Sequence, residues 1–447
     1  MENKRIVIAA GTSFIGKSLA ACFGKHNDII ILTRQARPAI GRISYIQWDG
    51  KNPGAWCEAL ENADLLINLT GKSVNCRYNT TNKRIIVESR INATRALGTA
   101  VQTLKNPPAV WINASSATIY RHAEDRPMNE FNGEIANDFS VQVCKQWEQA
   151  FNDIMLPRTR KIILRIGITL GWENGGVMQP YLRLVKFGLG GYQGRGRQMY
   201  TWIHITDVCR MMAWLYENDH SEGVYNCTAP FPVTNQTFMK TLREAASHPF
   251  GLPAPTPLLK IGAALIGTET ELLLKSRWVL PSRALQEGFV FAFPAVKAAC
   301  EDILAHLPRS AYHLYLNTYI SCMDTNNDKK FTVVLGASPN PERYSNMAVN
   351  RLTAKGHPVV AIGNRAAQIG DIPVITAHPA LEQVDTVTLY LNPVIQREYY
   401  DYILQLHPKR IIFNPGAENQ ELADIAREHQ IEPVEACTLV LLSTGQF

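Results

Sequence analysis

Residues 6–16 constrain the fold of this chain more than any other stretch. The run Ile-Val-Ile-Ala-Ala leads into a turn of small residues and then into an amphipathic segment that begins at Phe14. This pattern predicts a buried strand, a tight turn and a helix N-terminus, whose free N–H groups bind a pyrophosphate. The usual fingerprint has three glycines here, but this chain has Ala10, Ser13 and Gly16. Taken alone, the turn fits a strand-to-helix connection without a cofactor equally well.

A second strand-to-helix start of this kind occurs at residues 333–338 (Val-Val-Leu-Gly-Ala-Ser). A chain of 447 residues is too long to fold around a single hydrophobic core, so two or three domains are expected. Strands alternate with helices, which predicts an α/β chain with two Rossmann-like, doubly wound parallel sheets. The expected parts are a first domain at 1–306, with a small C-terminal subdomain whose substrate-facing parts are 172–205 and 230–300, a linker at 307–330, and a second domain at 331–447.

The boundary is placed at a polar, turn-prone stretch, residues 323–330. Met323 is followed by Asp-Thr-Asn-Asn-Asp, which is typical of a start residue with a polar N-terminus. Our hypothesis is that two once-separate genes are fused at this point.

The composition is that of an ordinary globular protein, with 46% hydrophobic and 19% charged residues. No apolar run approaches the length of a membrane span, and Lys4-Arg5 leads directly into a strand instead of a signal peptide. Nine cysteines occur singly, without metal-ligand spacing, which is typical of reduced thiols. We therefore expect a cytoplasmic protein without a metal or a membrane partner.

The net charge of +6 is unevenly distributed, with +10 in residues 1–330 and −4 in residues 331–447. A basic first part suits an anionic, phosphate-bearing ligand. No basic run indicates a nucleic-acid partner.

The predicted strand at 29–33 is followed directly by Arg34. In a dinucleotide fold the end of the second strand faces the adenine ribose, where an acid binds the 2′-hydroxyl and an arginine accommodates a 2′-phosphate. No acid stands beside Arg34, so this residue favours NADP over NAD. A solvated surface arginine is the equally weighted alternative.

Two later strands, 63–71 and 110–114, also end in small polar residues. The first ends in Asn68-Leu-Thr-Gly71, and the second leads into Ser115-Ser-Ala-Thr-Ile-Tyr120. A broad apolar stripe between them predicts a long helix at 83–104. Ligands of an open parallel sheet lie at the carboxyl ends of its strands. The expected cofactor-binding residues are Gly11, Thr12, Ser13, Phe14, Ile15, Gly16, Arg34, Leu69, Thr70 and Gly71.

Basic residues alternate with glycines between positions 183 and 197. We expect Arg183, Arg195 and Arg197, with Lys186 nearby, to bind the substrate. Backbone N–H groups and guanidinium forks can hold a diphosphate together, and a mobile solvated loop is the alternative. The proline-rich stretch 249–257 predicts a stiff connector.

His204 alternates with apolar neighbours just before a predicted helix. A buried structural histidine is therefore expected instead of a catalytic base. Thr206 or Asp207 is expected to cap the helix.

Eight motifs are spread along the first domain: Asn68-Leu-Thr-Gly71, Ser89-Arg90-Ile91, Ser116-Ala-Thr-Ile-Tyr120, Trp147-Glu148, Leu164-Arg-Ile-Gly-Ile-Thr-Leu-Gly171, Gly188-Leu-Gly-Gly191, Gly196-Arg-Gln198 and Trp202-Ile-His-Ile-Thr-Asp207. Together they resemble the extended short-chain dehydrogenase/reductase superfamily, and within it the nucleoside-diphosphate-sugar epimerase-like family. The resemblance covers roughly residues 4–306. Residues 277–291 are similar to the C-terminal segment of that family, whose function is unassigned.

The resemblance implies a tyrosine acid/base, a lysine one helical turn later that lowers the pKa of the tyrosine, and a serine that holds the substrate oxygen. Ser116 matches the serine. Counted from Glu148, the tyrosine and lysine positions fall on Ser140 and Cys144. The usual tyrosine–lysine pair is therefore absent, and this branch of the superfamily shares that departure. Whether the first domain transfers a hydride stays open.

Tyr120 lies close to Ser116 in the sequence, on the loop after the strand. Ser116 and Tyr120 are the expected catalytic residues, assisted by Cys144 or Lys145. The alternative is that Tyr120 packs over the cofactor without taking part in the reaction.

The second domain repeats the alternation, with strands expected at 331–335, 359–362, 386–389 and 410–413 and helices at 345–355 and 393–406. The motifs Gly336-Ala-Ser-Pro-Asn-Pro-Glu-Arg-Tyr344, Asn414-Pro-Gly-Ala-Glu-Asn-Gln-Glu421 and Cys437 resemble the CoA-binding domain family. The residues implied for CoA are Gly336, Ala337, Ser338, Arg343, Tyr344, Asn364 and Arg365. A phosphate-free scaffold or protein-interaction domain is the alternative.

The sequence thus predicts an NADP(H)-dependent epimerase/reductase-like protein with a fused CoA- or nucleotide-binding domain. Its expected substrate is a phosphate-bearing molecule, and a nucleotide sugar is one candidate. A homodimer is one expected assembly. The rival hypothesis is a nucleotide-binding sensor or scaffold in which neither domain turns over.

Overall fold

The computed structural model describes residues 1–257, 259, 274–313, 329–444 and 446–447. The chain forms two compact units, 1–307 and 308–447. Each contains a seven-stranded, mainly parallel sheet accompanied by helices, which confirms the predicted α/β class with two Rossmann-like sheets. Most of the expected linker, including Met323, lies outside the described residues, so the gene-fusion hypothesis stays a prediction.

The described strands of the first unit are β1 Arg5–Ala9, β2 Asp28–Thr33, β3 Ile43–Gln47, β4 Leu65–Asn68, β5 Val110–Ser116, β6 Arg160–Ile166, β7 Ile168–Leu170, β8 Met199–Tyr200, β9 Trp202–His204, β10 Gly223–Cys227 and β11 Val233–Thr234. The large sheet has the order β10-β6-β5-β4-β1-β2-β3 and is parallel throughout. The chain builds outward from β1 to one side and then from β4 to the other. The topological switch point therefore lies between β1 and β4.

The described helices of this unit are α1 Phe14–Phe23, α2 Thr80–Thr103, α3 Phe139–Asn152, α4 Met178–Lys186, α5 Ile205–Glu217, α6 Asn235–Ala245, α7 Ser282–Gln286 and α8 Val296–Ala305. Ile6 and Ile8 of β1 belong to the core layer that contains α1 and α5, whereas Val7 and Ala9 belong to the layer that contains α2. Burial on both faces explains the continuous apolar run that the sequence shows. Within the described ranges, no helix is long and apolar enough to cross a membrane.

The glycine-rich loop after α4 runs beside the predicted connector. The N–H groups of Gly191 and Gly194 donate to the carbonyl oxygens of Leu252 and Ala254, at 3.0 and 2.9 Å. In return, the N–H of Ala254 donates to Tyr192 at 2.9 Å. The two segments therefore form a short ladder of backbone hydrogen bonds.

His204 is fully buried at the end of β9. Its Nδ1 accepts the N–H of Thr206 at 3.3 Å and so caps α5. The buried structural histidine is confirmed, but the expectation that Thr206 or Asp207 caps the helix is wrong. Asp207 instead accepts the N–H groups of Ala292 and Phe293, at 2.8 and 2.9 Å, and so anchors a later segment of the chain.

The second unit has the described strands β12 Thr332–Leu335, β13 Val359–Ile362, β14 Ala367–Ile369, β15 Ile372–Ile375, β16 Thr386–Leu389, β17 Arg410–Phe413 and β18 Glu432–Glu435. Its described helices are α9 Tyr344–Ala354, α10 Pro393–Gln396, α11 Tyr400–Gln405, α12 Gln420–Glu428 and α13 Thr438–Thr444. The sheet order is β14-β15-β13-β12-β16-β17-β18, and only the pairing of β14 with β15 is antiparallel among its described strands. The sequence missed β18 because an edge strand of sequence Glu-Pro-Val-Glu lacks the apolar run of a buried strand.

Candidate functional site

The turn after β1 lies at the switch point. Ala10 has a φ of +61°, in the left-handed region that favours glycine, and its N–H donates to the carbonyl oxygen of Leu32 at 3.0 Å. An alanine in this region is strained by about 1 kcal/mol. Position 10 thus keeps the backbone conformation of the usual first glycine without being one.

Gly11 and Gly16 bring the turn and the start of α1 into direct contact. A Cβ on Gly16 would lie 2.5 Å from the Cα of Gly11. A Cβ on Gly11 would lie 2.9 Å from two side-chain atoms of Ile31 on β2. Neither position has room for a side chain, so the two glycines let the turn pack directly against β2 and the start of α1.

Ser13 replaces the second glycine and caps α1. Its Oγ accepts the N–H of Gly16 at 3.2 Å. The N–H groups of Phe14 and Ile15 precede the first intrahelical hydrogen bond and have no acceptor within the helix. Thr12 is half-buried in the same turn. The start of α1 therefore offers two backbone donors and a helix dipole to an anion at the switch point.

Arg34 directly follows β2 at the same edge of the sheet, as predicted. Its side chain is exposed, and its carbonyl oxygen accepts Nε2 of Gln47 at 3.3 Å. The guanidinium is therefore accessible at the end of the second strand.

The buried Asn68 fixes the loop after β4. Its Oδ1 accepts the N–H of Thr70 at 3.1 Å, and its Nδ2 donates to Oδ1 of Asn113 at 2.7 Å. The N–H of Leu69 donates to the carbonyl oxygen of Ala9 at 3.1 Å. These bonds place the predicted residues 69–71 beside the turn after β1.

Ser116 ends β5, and Tyr120 follows it after a short 3₁₀ turn. The Oγ of Ser116 accepts the N–H of Thr118 at 3.2 Å. Tyr120 is 1% exposed, and its hydroxyl donates to Oδ1 of Asn226 at 3.0 Å and accepts Nη1 of Arg165 at 2.9 Å. Burial raises the pKa of Tyr120. Its hydroxyl is thus enclosed by protein groups, and a catalytic role for it stays a prediction.

A buried ion pair that the sequence analysis missed lies beneath Tyr120. Nε and Nη2 of Arg165 donate to the two carboxylate oxygens of Glu148, at 2.9 and 2.8 Å. The Oγ of Ser115 donates to Oε1 of Glu148 at 2.6 Å. The sequence does contain a signal for this ion pair, because Arg165 lies inside an apolar strand and a buried charge requires a partner.

Ser140 and Cys144 both lie on α3, at the positions where the sequence analysis expects the tyrosine and lysine of the usual pair. Cys144 is 4% exposed and packs in one core cluster with Ala117 and Tyr120. Burial, helped by the Glu148 carboxylate, raises the pKa of Cys144 to about 11. The thiol is therefore neutral at physiological pH and does not supply the charge of a lysine. Arg90, on α2, lies over the ring of Trp147, which follows Cys144 by three residues on α3.

Part of the backbone of the predicted substrate loop is used within the protein. The N–H groups of Gly191 and Gly194 are used in the ladder, and that of Gln193 donates to Oδ1 of Asn235 at 2.7 Å. These three N–H groups are therefore not available to a diphosphate, and binding of an anion by the rest of the loop stays a prediction. The exposed cations are Arg183, Arg195 and Arg197.

In the second unit, Gly336 follows β12 with a φ of +87°. The N–H groups of Gly336 and Ala337 both donate to the carbonyl oxygen of Ile362, at 2.9 Å, so neither is free for a phosphate. Ser338 is half-buried, and its Oγ accepts the N–H of Asn340 at 3.3 Å. The predicted residues that are exposed are Arg343, Tyr344, Asn364 and Arg365.

Three families match this chain. The NAD dependent epimerase/dehydratase family matches residues 6–228, a domain of unknown function (DUF1731) matches 254–303, and a CoA binding domain matches 330–443. An epimerase family protein of Staphylococcus saprophyticus, SSP1921, is 33% identical over 304 residues, which is 67% of this chain and 99% of that protein.

Two solved structures are similar to the first unit. Human epimerase family protein SDR39U1 with NADPH has a TM-score of 0.61 and 28% identity, over 68% of this chain and 100% of that chain. The nucleoside-diphosphate sugar epimerase from Corynebacterium glutamicum has a TM-score of 0.54 and 25% identity, over 68% of this chain and 59% of that chain. The chain belongs to the NAD-dependent epimerase/dehydratase family and has a CoA binding domain fused to it.

Proposed function

We propose that the first unit binds NADP(H) and acts on a phosphate-bearing small molecule as an epimerase or reductase. The observation that carries this proposal is the start of α1, where the N–H groups of Phe14 and Ile15 have no acceptor within the helix. The contact between Gly11 and Gly16 holds the turn after β1 directly against this helix start. Family membership and the NADPH of the human relative support the same assignment.

Arg34 would hold the 2′-phosphate of NADP, since it is exposed at the end of β2. Residues 69–71 would line the nucleotide from the side of β4. A bound nicotinamide supplies a hydride donor or acceptor, which is the chemistry common to epimerases and reductases of this kind.

The substrate would carry a phosphate, because three exposed arginines (Arg183, Arg195 and Arg197) belong to the expected substrate-facing part. A nucleotide sugar is one such molecule, and the Corynebacterium relative is named for that class. Ser116 would position the substrate oxygen at the end of β5. Tyr120 would exchange a proton only if its hydroxyl left Asn226 and Arg165.

The rival function, a nucleotide-binding sensor or scaffold, is favoured by two observations. Ser140 and the neutral Cys144 occupy the positions that the sequence analysis assigns to the Tyr-x-x-x-Lys pair. The hydroxyl of Tyr120 is already hydrogen-bonded twice within the protein. Turnover of any substrate by the wild-type chain would exclude the rival, and activity retained by a Tyr120→Phe variant would then remove Tyr120 from the reaction.

For the second unit we propose a CoA or nucleotide site at the loops after β12 and β13. The exposed Arg343 and Arg365 are the cations that a phosphate there would contact. The family match to a CoA binding domain supports the ligand class.

Calorimetric titration of the 447-residue chain with NADPH and NADH tests the cofactor assignment. We expect NADPH to bind at least tenfold more tightly, and Arg34→Ala to abolish that preference while leaving NADH binding unchanged. Arg42→Ala is the matched control, because Arg42 is an exposed arginine that pairs with Asp28 at the opposite edge of the sheet. Equal binding of both dinucleotides would overturn the role of Arg34, and binding of neither would favour the scaffold.

A further inference from the structure

Arg90 is a half-buried arginine of α2 that the proposed function does not use. Its Nη1 donates to the carbonyl oxygens of Ile86 and Lys72, at 2.8 and 3.1 Å. Its guanidinium lies over the ring of Trp147, with Cζ 5.1 Å from the ring centroid. These contacts fix the guanidinium in one position.

Gly71 makes room for this guanidinium. A Cβ on Gly71 would lie 2.8 Å from Cζ of Arg90 and 3.0 and 3.1 Å from its Nη2 and Nε. The loop that is expected to line the nucleotide therefore packs directly against the cation.

The charge of Arg90 is uncompensated, unlike that of its neighbour. Arg165 is buried and pairs with Glu148, whereas no ion pair among the described parts of the chain includes Arg90. Burial lowers the pKa of Arg90, because removing a cation from water is unfavourable unless an anion accompanies it. The site therefore favours an anionic ligand.

The free edge of the guanidinium suits an anion that offers two oxygens. Nη1 is occupied by the two carbonyl oxygens, whereas Nε and Nη2 have no acceptor among the described residues. These two nitrogens present parallel N–H groups, which match the two oxygens of a carboxylate.

Arg90 also lies at the reacting end of the candidate site. Its guanidinium lies over Trp147, which follows Cys144 by three residues on α3. Cys144 packs in the same core cluster as Ala117, the residue directly after Ser116. The guanidinium and the predicted substrate-positioning serine are thus both close to this turn of α3. A lysine at position 144 would place a second cation there, so the neutral Cys144 leaves the charge of Arg90 available to a ligand.

We propose that Arg90 binds a carboxylate of the substrate through its Nε–Nη2 edge, next to Ser116. The substrate of the first unit is then an organic acid as well as a phosphate ester. This inference rests on the proposed function, to which it adds the second functional group of the substrate.

The test titrates trifluoroacetate, a carboxylate observable by ¹⁹F NMR, into the 447-residue chain with and without saturating NADP⁺. We expect saturable binding to the wild-type chain, at least tenfold weaker binding to Arg90→Gln, and intermediate binding to Arg90→Lys, which keeps the charge but lacks the fork. Arg95→Gln is the matched control, because Arg95 is an exposed arginine on the same helix. Trifluoroethanol, which has no charge, should not bind saturably.

NADPH titrations and thermal unfolding of the same variants separate a binding defect from a folding defect. Arg90→Gln should keep its NADPH affinity within about threefold. If Arg90→Gln unfolds, Arg90→Lys decides the test. A carboxylate affinity equal to wild type in Arg90→Lys would contradict a bidentate contact through Nε and Nη2. No saturable binding to the wild type, or equal binding to Arg90→Gln, overturns the inference. Carboxylate binding without any dinucleotide binding would instead refute the proposed function alone.

Discussion

The two units build their sheets outward from the first strand in the same way, but the polar groups at their carboxyl edges differ. In the first unit the edge contains the buried ion pair of Glu148 and Arg165. In the second unit the corresponding groups are neutral: Nδ2 of Asn414 donates to Oγ1 of Thr388 at 2.7 Å, and Oδ1 accepts the N–H of Thr438 at 2.8 Å. The same sheet topology thus has a buried ion pair at the carboxyl edge of the first unit and neutral amide and hydroxyl groups at that of the second.

The first turns differ in the same sense. Both place a residue with positive φ directly after the strand, Ala10 in the first unit and Gly336 in the second. In the first unit, α1 begins at Phe14 and is capped by Ser13. In the second, α9 begins only at Tyr344, without a side-chain cap. The shorter, capped turn is the better preorganised site for a pyrophosphate.

Glu148→Gln should have the largest effect on this comparison. The change keeps the shape of the side chain but leaves Arg165 buried without its counter-ion, so the free energy of unfolding should fall by about 4 kcal/mol. Asn414→Ala, the matched change in the neutral network, should cost about 2 kcal/mol. Hydrogen exchange of peptides from β6 and β17 in the intact chain measures both. A smaller loss for Glu148→Gln than for Asn414→Ala would contradict the charged-edge interpretation.

Most of the fold could be predicted from the sequence, because parallel strands buried on both faces leave continuous apolar runs and their turns leave small residues. This signal located β1, β2, β4 and the turn between β1 and α1. It missed the outer strands β3, β10, β14, β15 and β18 of the two sheets, of which β18 is polar and at an edge.

The candidate site was less predictable, because its contacts join residues far apart in the chain. The pairing of Arg165 with Glu148 depends on how α3 packs against β6, and Arg90 meets Trp147 only through the packing of α2 against α3. Local sequence shows Ser116 and Tyr120 close together, but it does not show that Asn226, over 100 positions later, accepts the tyrosine hydroxyl.

Acid should destabilise the first unit through His204. Burial lowers the pKa of His204 from 6.5 to about 4, although the Asp302 carboxylate lies 3.3 Å from its Nε2. Between these two pKa values the unfolded chain binds a proton that the folded chain does not. Stability therefore falls as the pH falls from 6.5 towards 4, by about 3 kcal/mol in total. Hydrogen exchange of β9 and α5 peptides, corrected for intrinsic rates, measures the loss.

The control for this prediction is His204→Asn, which keeps a side-chain acceptor for the cap but does not titrate. Its exchange protection should change less between pH 7 and 4.5 than that of the wild type. In the second unit, burial also lowers the pKa of His357, but His357 is only partly buried. An equal loss of protection in both units would contradict the assignment to His204.

The smallest effect is expected at the first turn of the second unit. Gly336→Ala adds a Cβ within 2.8 Å of the carbonyl oxygen of Tyr390 at a φ of +87°, and should lower the free energy of unfolding by about 2 kcal/mol. Gly416→Ala has nearly the same φ, +86°, with nothing within 4 Å of the new Cβ, and should cost about 1 kcal/mol. The difference between the two losses separates the cost of the close approach to Tyr390 from the cost of the backbone strain. Ala10 shows that the first turn of the first unit accepts an alanine with positive φ. If Gly336→Ala and Gly416→Ala lost the same stability, the approach to Tyr390 would add no cost. The two first turns would then differ in sequence but not in physical constraint.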